Sequence, residues 1–340
     1  MVDLEYLKRI KLAKNPIGQR IVANLLLTPN YRWFQKVEIC LEGAERIPRG
    51  ENVIFAMNHT DRFNYWPFQY RLWKMKEFPF TTVWVKGKYY RNALLGRGLD
   101  LCNGIPVPSM GYLLEEFYRK RFKRRLEKPL YRTIRDVIDG RYEKMSAYPA
   151  AAAEALSAMG EYIRETIGGG REQVSAYPAA AAEALSAVAD RCAEALRGYY
   201  EKIMERVAEI SCTALCEKGL NLIIFPEGTR SVQLGQGRTG LAQLALYTGK
   251  KVVPVACNNS EQVYPDSLPF ARSGRIVYRV GEPLSLDGKL RPFRIEESFK
   301  LLSRESQMKH REQFEAVTRI VMESINEMLD DRYRWSAEHS

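Results

Sequence analysis

The sequence predicts an α/β protein, with a mixed central sheet flanked by helices, a long all-helical insertion and an N-terminal amphipathic helical segment. Three observations predict it. Val53-Ile54-Phe55-Ala56-Met57 and Leu220-Asn221-Leu222-Ile223-Ile224 are short apolar runs that read as strands buried on both faces. Such runs alternate with segments of helical period, as in α/β architecture. From Tyr112 to about Glu217 the period turns helical and stays so.

Residues 4–28 carry Leu4, Leu7, Ile10, Leu12, Ile17, Ile21, Leu25 and Leu26 with Lys8, Arg9, Lys11, Lys14 and Arg20 between them, broken at Pro16. Two short amphipathic helices with cationic flanks fit, of the kind that lies in a lipid interface or packs its stripe on the body of the protein. Trp33 to Glu42 reads as the first strand, Pro48-Arg49-Gly50 as a turn, and the run into Met57 as the second strand. The aromatic-rich Tyr65–Trp73 stretch suits a helix on the sheet. Thr81–Val85 is a further strand, Gly96-Arg97-Gly98 a glycine-rich turn and Gly104–Val107 another strand. After residue 217 come the Leu220–Ile224 strand, a short helix Leu241–Tyr247, strands Lys251–Ala256 and Arg275–Gly281, and an amphipathic helix Met308–Leu329. The resulting division is 1–35 (membrane-surface helices), 36–111 with 218–340 (the α/β domain) and 112–217 (the helical insertion).

The insertion opens with the cationic run Arg119–Arg125. It also holds a perfect internal repeat: residues 146–158 recur as 175–187, each copy a proline followed by four alanines. Proline suits a first helical turn and alanine has the best helix propensity, so each copy opens a helix. Two copies are too few for a solenoid; their small faces suit a hairpin or self-association through 146–187.

Fifty-two Lys and Arg against forty-one Asp and Glu give a net charge of +11. That balance favours anionic partners such as phospholipid surfaces, phosphorylated substrates or coenzyme A. The basic residues are spread along the chain without a nucleic-acid motif, which argues against nucleic acid. The cysteines at 40, 102, 192, 212, 216 and 257 include no Cys-x-x-Cys and no companion His at ligand spacing, so they read as reduced thiols and no metal is expected. No apolar run approaches the ~20 residues that span a bilayer, and the N-terminus is no signal peptide. If a membrane is involved, the chain is expected to lie on it, peripheral at the cytoplasmic face.

Two polar clusters follow strand ends: Asn58-His59-Thr60-Asp61-Arg62-Phe63-Asn64 and Phe225-Pro226-Glu227-Gly228-Thr229-Arg230-Ser231. Ligands bind at the carboxyl ends of strands in open α/β sheets, so two such ends can face one cleft. The clusters resemble the histidine motif and the Phe-Pro-Glu-Gly-Thr-Arg motif of the glycerolipid acyltransferases, the lysophosphatidic acid (1-acylglycerol-3-phosphate) acyltransferase family. Gly104-Ile105-Pro106-Val107-Pro108 resembles the family's second motif and Val252-Val253-Pro254-Val255 its fourth, so the likeness covers roughly residues 36–286 around the insertion.

The resemblance implies transfer of a fatty acyl chain from acyl-CoA or acyl carrier protein to a lysophospholipid hydroxyl, with the thioester as co-substrate and no cofactor. It implies a histidine base held by an aspartate in a His-x4-Asp pair. His59 matches, but Asn64 occupies the aspartate position. An amide fixes the ring tautomer only if it presents its oxygen, and it cannot balance the imidazolium charge; in serine proteases the corresponding exchange costs about 10⁴ in turnover. Asp61 is the nearest carboxylate and the candidate replacement. Glu227, Gly228, Thr229 and Arg230 are implied at the acceptor, since a guanidinium beside a tight turn suits a phosphate. Thr229 and Ser231 are also suited to capping the next element. Pro108-Ser109 stands where the family places an acidic residue and a phosphate-gripping arginine, a role that falls to Arg97 or Arg238. That departure leaves open a lyso-aminolipid or glycolipid acceptor, and Asn64 leaves open a degenerate, lipid-binding relative.

Overall fold

The structure is a computed structural model, and it describes residues 1–139, 152, 154–156, 158–159 and 182–335. The chain divides into two compact units: residues 1–7, 86–91 and 107–204, and residues 8–85, 92–106 and 205–340. The repeat 146–158 and 175–187 lies largely outside the described residues, and with it the self-association expected there.

In chain order the first elements are α1 (Leu4–Arg9), α2 (Ile17–Ile21), β1 (Val37–Glu42), β2 (Ile54–Met57), α3 (Tyr65–Met75), β3 (Thr81–Lys86), α4 (Ala93–Leu101), β4 (Gly104–Val107), α5 (Met110–Phe122) and α6 (Lys128–Ile138). A long helix Ala182–Cys212 precedes β5 (Asn221–Ile224), β6 (Val252–Asn258) and β7 (Gly274–Val280), and helix Arg311–Met328 follows. The seven strands form one mixed sheet in the order β1-β7-β6-β2-β5-β3-β4. β2 lies between β5 and β6 and is parallel to both, whereas β7 runs antiparallel to β6 and parallel to β1. Every residue of β2, β5 and β6 is buried, which is why these runs are apolar without alternation. The helix Arg311–Met328 packs Phe314, Val317, Val321 and Ile325 onto β6 and β2. The α/β class and mixed sheet are as the sequence predicts.

Several boundaries differ. Trp33 is helical rather than the start of β1: from α2 the chain continues as wide helical turns over Val22–Leu27 and Asn30–Phe34. Gly96-Arg97-Gly98 is no turn. Asn92 caps α4, its Oδ1 accepting from the Leu94 and Leu95 amides, and that start carries the helix through both glycines. His310 interrupts the last helix, leaving a short helix Arg304–Lys309 before Arg311. The N-terminal apolar residues split in two: Leu7 and Leu12 are buried, whereas Ile17, Ile21 and Leu25 stand exposed.

Candidate active site

Strand register brings the two motif loops together. Ala56 of β2 pairs with Ile224 of β5, and both strands run the same way. Three residues further along each chain lie His59 and Glu227. Glu227 Oε2 accepts the His59 amide at 2.7 Å, and the Ser231 amide donates to the His59 carbonyl at 2.9 Å. On the other side of β2, Asn58 uses both ends of its amide on the backbone of β6, accepting from the Cys257 amide at 2.7 Å and donating to its carbonyl at 3.0 Å. His59 is thereby held through main chain from both neighbouring strands.

Its ring stacks on Phe225, with centroids 4.1 Å apart and planes 20° from parallel. Nδ1 lies 3.2 Å from Asn64 Oδ1. The direction of that amide is set independently. Asn64 Nδ2 donates to the Asn58 carbonyl at 2.7 Å, so the oxygen must be the atom turned to the ring. The condition for an amide at this position is therefore met: Nδ1 carries the proton, and Nε2 keeps its lone pair. Asn64 is fully buried at the N-cap position of α3, yet its side chain makes no cap bond, being committed to the imidazole and Asn58. The Tyr278 hydroxyl fixes its backbone by donating to the Asn64 carbonyl at 2.6 Å.

Asp61 does different work from that expected. Its Oδ1 accepts the Phe63 amide at 2.7 Å and its Oδ2 the Thr60 hydroxyl at 3.0 Å, so the carboxylate braces its own loop. The ring nitrogen is partnered by Asn64 instead. Burial is the largest influence on the Asp61 carboxyl and raises its pKa, against the lowering effect of hydrogen bonds from Ser260, Phe63 and Thr60.

Glu227 likewise points away from solvent. It is 3% exposed, and its second oxygen, Oε1, accepts the Gly235 amide at 2.9 Å. Burial raises its pKa, while the two backbone N–H groups oppose the shift. Rather than reaching toward an acceptor, this carboxylate ties the loop after β5 to the loop after β2. Gly228 sits at φ +64°, and a Cβ there would lie 3.1 Å from Arg238 Nε, so only glycine lets that guanidinium lie across the turn. Arg230 and Arg238 are exposed and, among the described residues, neither is paired with a carboxylate. Thr229 is exposed. Neither Thr229 nor Ser231 caps a helix, because the next one is Gly240–Thr248 with Thr239 at its N-cap. Arg97 is exposed on α4, which packs on α2 with Gly18 against the Leu101 carbonyl. No contact brings Arg97 to the motif loops among the described residues. Ser109 Oγ is occupied as the N-cap of α5, accepting the Tyr112 amide.

Sequence reasoning missed Asn58 and Phe225 as supports of the ring. Their only signal was position, one immediately before and one opposite the histidine at strand ends. Among the described residues no group of three or more His, Cys, Asp or Glu could hold a metal ion.

Residues 183–258 match the acyltransferase family model, a span that contains the Glu227–Arg230 turn and β6. Over that segment the chain is similar to the acyltransferase family. Among solved structures, the 1-acyl-sn-glycerophosphate (LPA) acyltransferase PlsC from Thermotoga maritima is similar at 15% identity, over 95% of this chain and 83% of that one, with a TM-score of 0.37. No curated protein matches this chain. His59, Asn58 and Asn64 lie outside the matched span, whereas Phe225, Glu227 and Ser231, which support the histidine, lie within it.

Proposed function

We propose that this acyltransferase moves a fatty acyl chain from acyl-CoA or acyl carrier protein to the hydroxyl of a lysophospholipid-like acceptor, lysophosphatidic acid foremost, at a membrane surface. The observation that carries the reading is the His59–Asn64–Asn58 arrangement, which leaves Nε2 as a base next to an anion-suited turn. The acceptor hydroxyl gives its proton to Nε2 as its oxygen bonds to the thioester carbonyl carbon. The tetrahedral intermediate then expels the thiolate, which recovers the proton from the imidazolium as the C–S bond breaks. No covalent enzyme intermediate and no cofactor are required. Stacking on Phe225 and the Glu227 and Ser231 backbone bonds hold the ring in one orientation, which keeps the entropic cost of reaching the reactive geometry low.

Arg230 and Arg238 are the cations suited to an acceptor phosphate, because both are exposed beside the Gly228 turn and have no carboxylate partner among the described residues. Arg97 is the weaker candidate, as α4 packs on α2 rather than beside that turn. A neutral or amino-bearing lysolipid is the second reading for the acceptor, favoured by Ser109, which stands in the second motif as a helix cap with no charge to offer.

Membrane attachment is supported by the exposed apolar residues. Ile17, Ile21 and Leu25 recur on one side of their helix, Leu94 and Leu101 stand exposed on the α4 helix packed beside it, and Trp33 and Phe34 are 73% and 75% exposed. Lys11, Lys14, Arg20 and Arg32 flank them, the combination expected of a helix lying in an anionic interface. No helix among the described residues is long and apolar enough to cross a membrane.

The test is acyl transfer by the purified chain, with acyl-CoA or acyl carrier protein as donor and lysophosphatidic acid, a lyso-aminolipid, a glycolipid or monoacylglycerol as acceptor. Transfer to lysophosphatidic acid is expected, with KM for that acceptor raised about tenfold by Arg230→Ala or Arg238→Ala, as for loss of one charge-assisted contact. Transfer to none of these acceptors, or full activity in His59→Ala, would refute the reading.

A further inference from the structure

The segment after the last helix makes contacts that the proposed chemistry does not use. Tyr333 is fully buried. Its carbonyl accepts the Leu234 amide at 2.7 Å, its hydroxyl accepts the Asn259 amide at 2.9 Å, and the same hydroxyl donates to Glu261 Oε1 at 2.8 Å. Asn259 follows β6 directly and sits at φ +67°, so the hydroxyl caps a left-handed turn. Two flanking contacts lie alongside. The Asp330 amide donates to Asn258 Oδ1 at 2.8 Å, and Trp335 Nε1 donates to the Gly235 carbonyl at 3.4 Å.

The contacts at Leu234 and Gly235 end on a loop of the site, and those at Asn258, Asn259 and Glu261 end on the segment that continues β6 past Cys257, the residue that Asn58 binds. Leu234 and Gly235 are in the loop after the Glu227 turn, and the Gly235 amide is one of the two that Glu227 binds; the other is that of His59. The same loop is pressed onto helix Arg311–Met328, since a Cβ on Gly237 would lie 2.7 Å from both Thr318 Cγ2 and Met322 Cγ. The path from Tyr333 to His59 therefore runs through Leu234, Gly235 and the Glu227 carboxylate, with no gap in hydrogen bonding.

We infer that Tyr333 is a positioning residue: the strap Asp330–Trp335 clamps the loops that follow β5 and β6, and through Glu227 it sets the backbone of His59. A tyrosine suits the post because one side chain supplies a large buried ring together with a hydroxyl that both accepts and donates, while its main chain serves the second loop. The catalytic part of this inference rests on His59 being the base of the acyltransferase reaction; the structural part does not.

The experiment is hydrogen–deuterium exchange followed by mass spectrometry on the full chain, comparing wild type, Tyr333→Phe and Trp335→Phe, together with steady-state kinetics. Tyr333→Phe keeps the ring and removes the hydroxyl bonds, so it should fold. Exchange is expected to rise about tenfold in 258–263, where the Asn259 amide loses its acceptor, and in 225–238 and 58–64 as the loosened strap releases the Leu234 amide, with β1 and helix Arg311–Met328 unchanged. Trp335→Phe should raise exchange in 225–238 alone. In step with this, kcat of Tyr333→Phe should fall about tenfold while KM for the acyl donor stays within about threefold, the split expected when a base is displaced and binding is not. Unchanged exchange in both loops, or an increase spread evenly over the sheet, would overturn the inference. Localised loosening without a change in kcat would overturn its catalytic part. A wild-type chain that acylates nothing would remove the acyltransferase reading and leave the exchange result to decide the strap by itself.

Discussion

The sharpest test of the site is Asn64→Asp, which restores a carboxylate opposite the histidine. Asn64 Oδ1 lies 3.2 Å from His59 Nδ1, and the amide stabilises the imidazolium by a dipole alone. A unit negative charge about 4 Å from the ring charge contributes about 4 kcal/mol at an effective dielectric constant of about 20. In general-base catalysis only part of that reaches the transition state, because the proton is partly transferred there. Taking half, the pH-independent turnover of the variant should rise about 30-fold. The gain comes with a cost. Asn64 is fully buried and its Nδ2 donates to the Asn58 carbonyl at 2.7 Å, so the new oxygen faces an oxygen, and about 1–3 kcal/mol of stability is lost.

The assay is kcat for acyl transfer between pH 6 and 10, at a temperature well below the variant's melting midpoint, with the midpoint itself measured in parallel. The carboxylate favours the imidazolium, so the acid limb of the profile must move to higher pH. A gain read only at neutral pH would be masked, and the plateau is the quantity that decides. A limb that moves without a rise in the plateau would show that His59 takes no proton in the rate-limiting step. If neither moves in a folded variant, residue 64 does not partner the ring, and the proposed chemistry fails with it.

Four further outcomes follow, three from the loops of the site and one from the exposed rings of Trp33 and Phe34. Asp61→Asn should leave kcat within about threefold, because its oxygens serve Thr60 and the Phe63 amide; a loss on the scale of His59→Ala would return Asp61 to the reaction. Burial raises the folded-state pKa of Asp61 above its unfolded value, so the folded chain binds more protons between the two values. Stability therefore declines as pH rises from the ordinary carboxylate range through the folded pKa, and Asp61→Asn should flatten that decline in thermal melts recorded from acid to neutral pH. Glu227→Gln leaves one oxygen for two amide donors, so either His59 or Gly235 loses its acceptor, and single-turnover rates should fall about 10- to 100-fold with little change in donor KM. Trp33→Ala with Phe34→Ala should weaken binding to anionic vesicles at least about tenfold, since each ring contributes on the order of 1.5–3 kcal/mol on leaving water, and unchanged sedimentation with vesicles would remove the membrane assignment.

The buried strands and the polar clusters at their ends were legible because a strand enclosed on both faces must be apolar along its whole length, and its last residue is where polarity can resume. What periodicity does not encode is which strands are neighbours. The placement of β2 between β5 and β6 is a property of the sheet, and only the pairing of Ala56 with both Ile224 and Pro254 puts Glu227 beside His59 and Cys257 beside Asn58. The residue types of the site could thus be read, but not the division of labour among them. Asp61 is the nearest carboxylate in sequence, yet the sharp turn after Met57 hands its oxygens to Thr60 and Phe63, while the residue five positions beyond the histidine comes back to its ring. Gly96-Arg97-Gly98 misled for the opposite reason: a single Asn92 cap outweighs two glycines, of which Gly96 is buried in the helix and Gly98 is exposed on it.

The two buried acids explain why the site keeps an amide at residue 64. Asp61 and Glu227 are both buried, and both owe what ionisation they retain to donated hydrogen bonds rather than to a neighbouring cation. Each loop already encloses a carboxylate whose charge is held by N–H or O–H groups alone. A third at residue 64, fully buried, would find its second oxygen against the Asn58 carbonyl with no donor in place. Asparagine avoids that conflict because its two ends differ: the nitrogen satisfies the carbonyl and the oxygen takes the imidazole proton. Tautomer control is retained and charge balance is given up. On this argument a second substitution that supplies a donor where the Asn58 carbonyl now stands opposite Nδ2 should recover the stability lost in Asn64→Asp without reducing its plateau rate, whereas simple removal of the amide in Asn64→Ala should lose both.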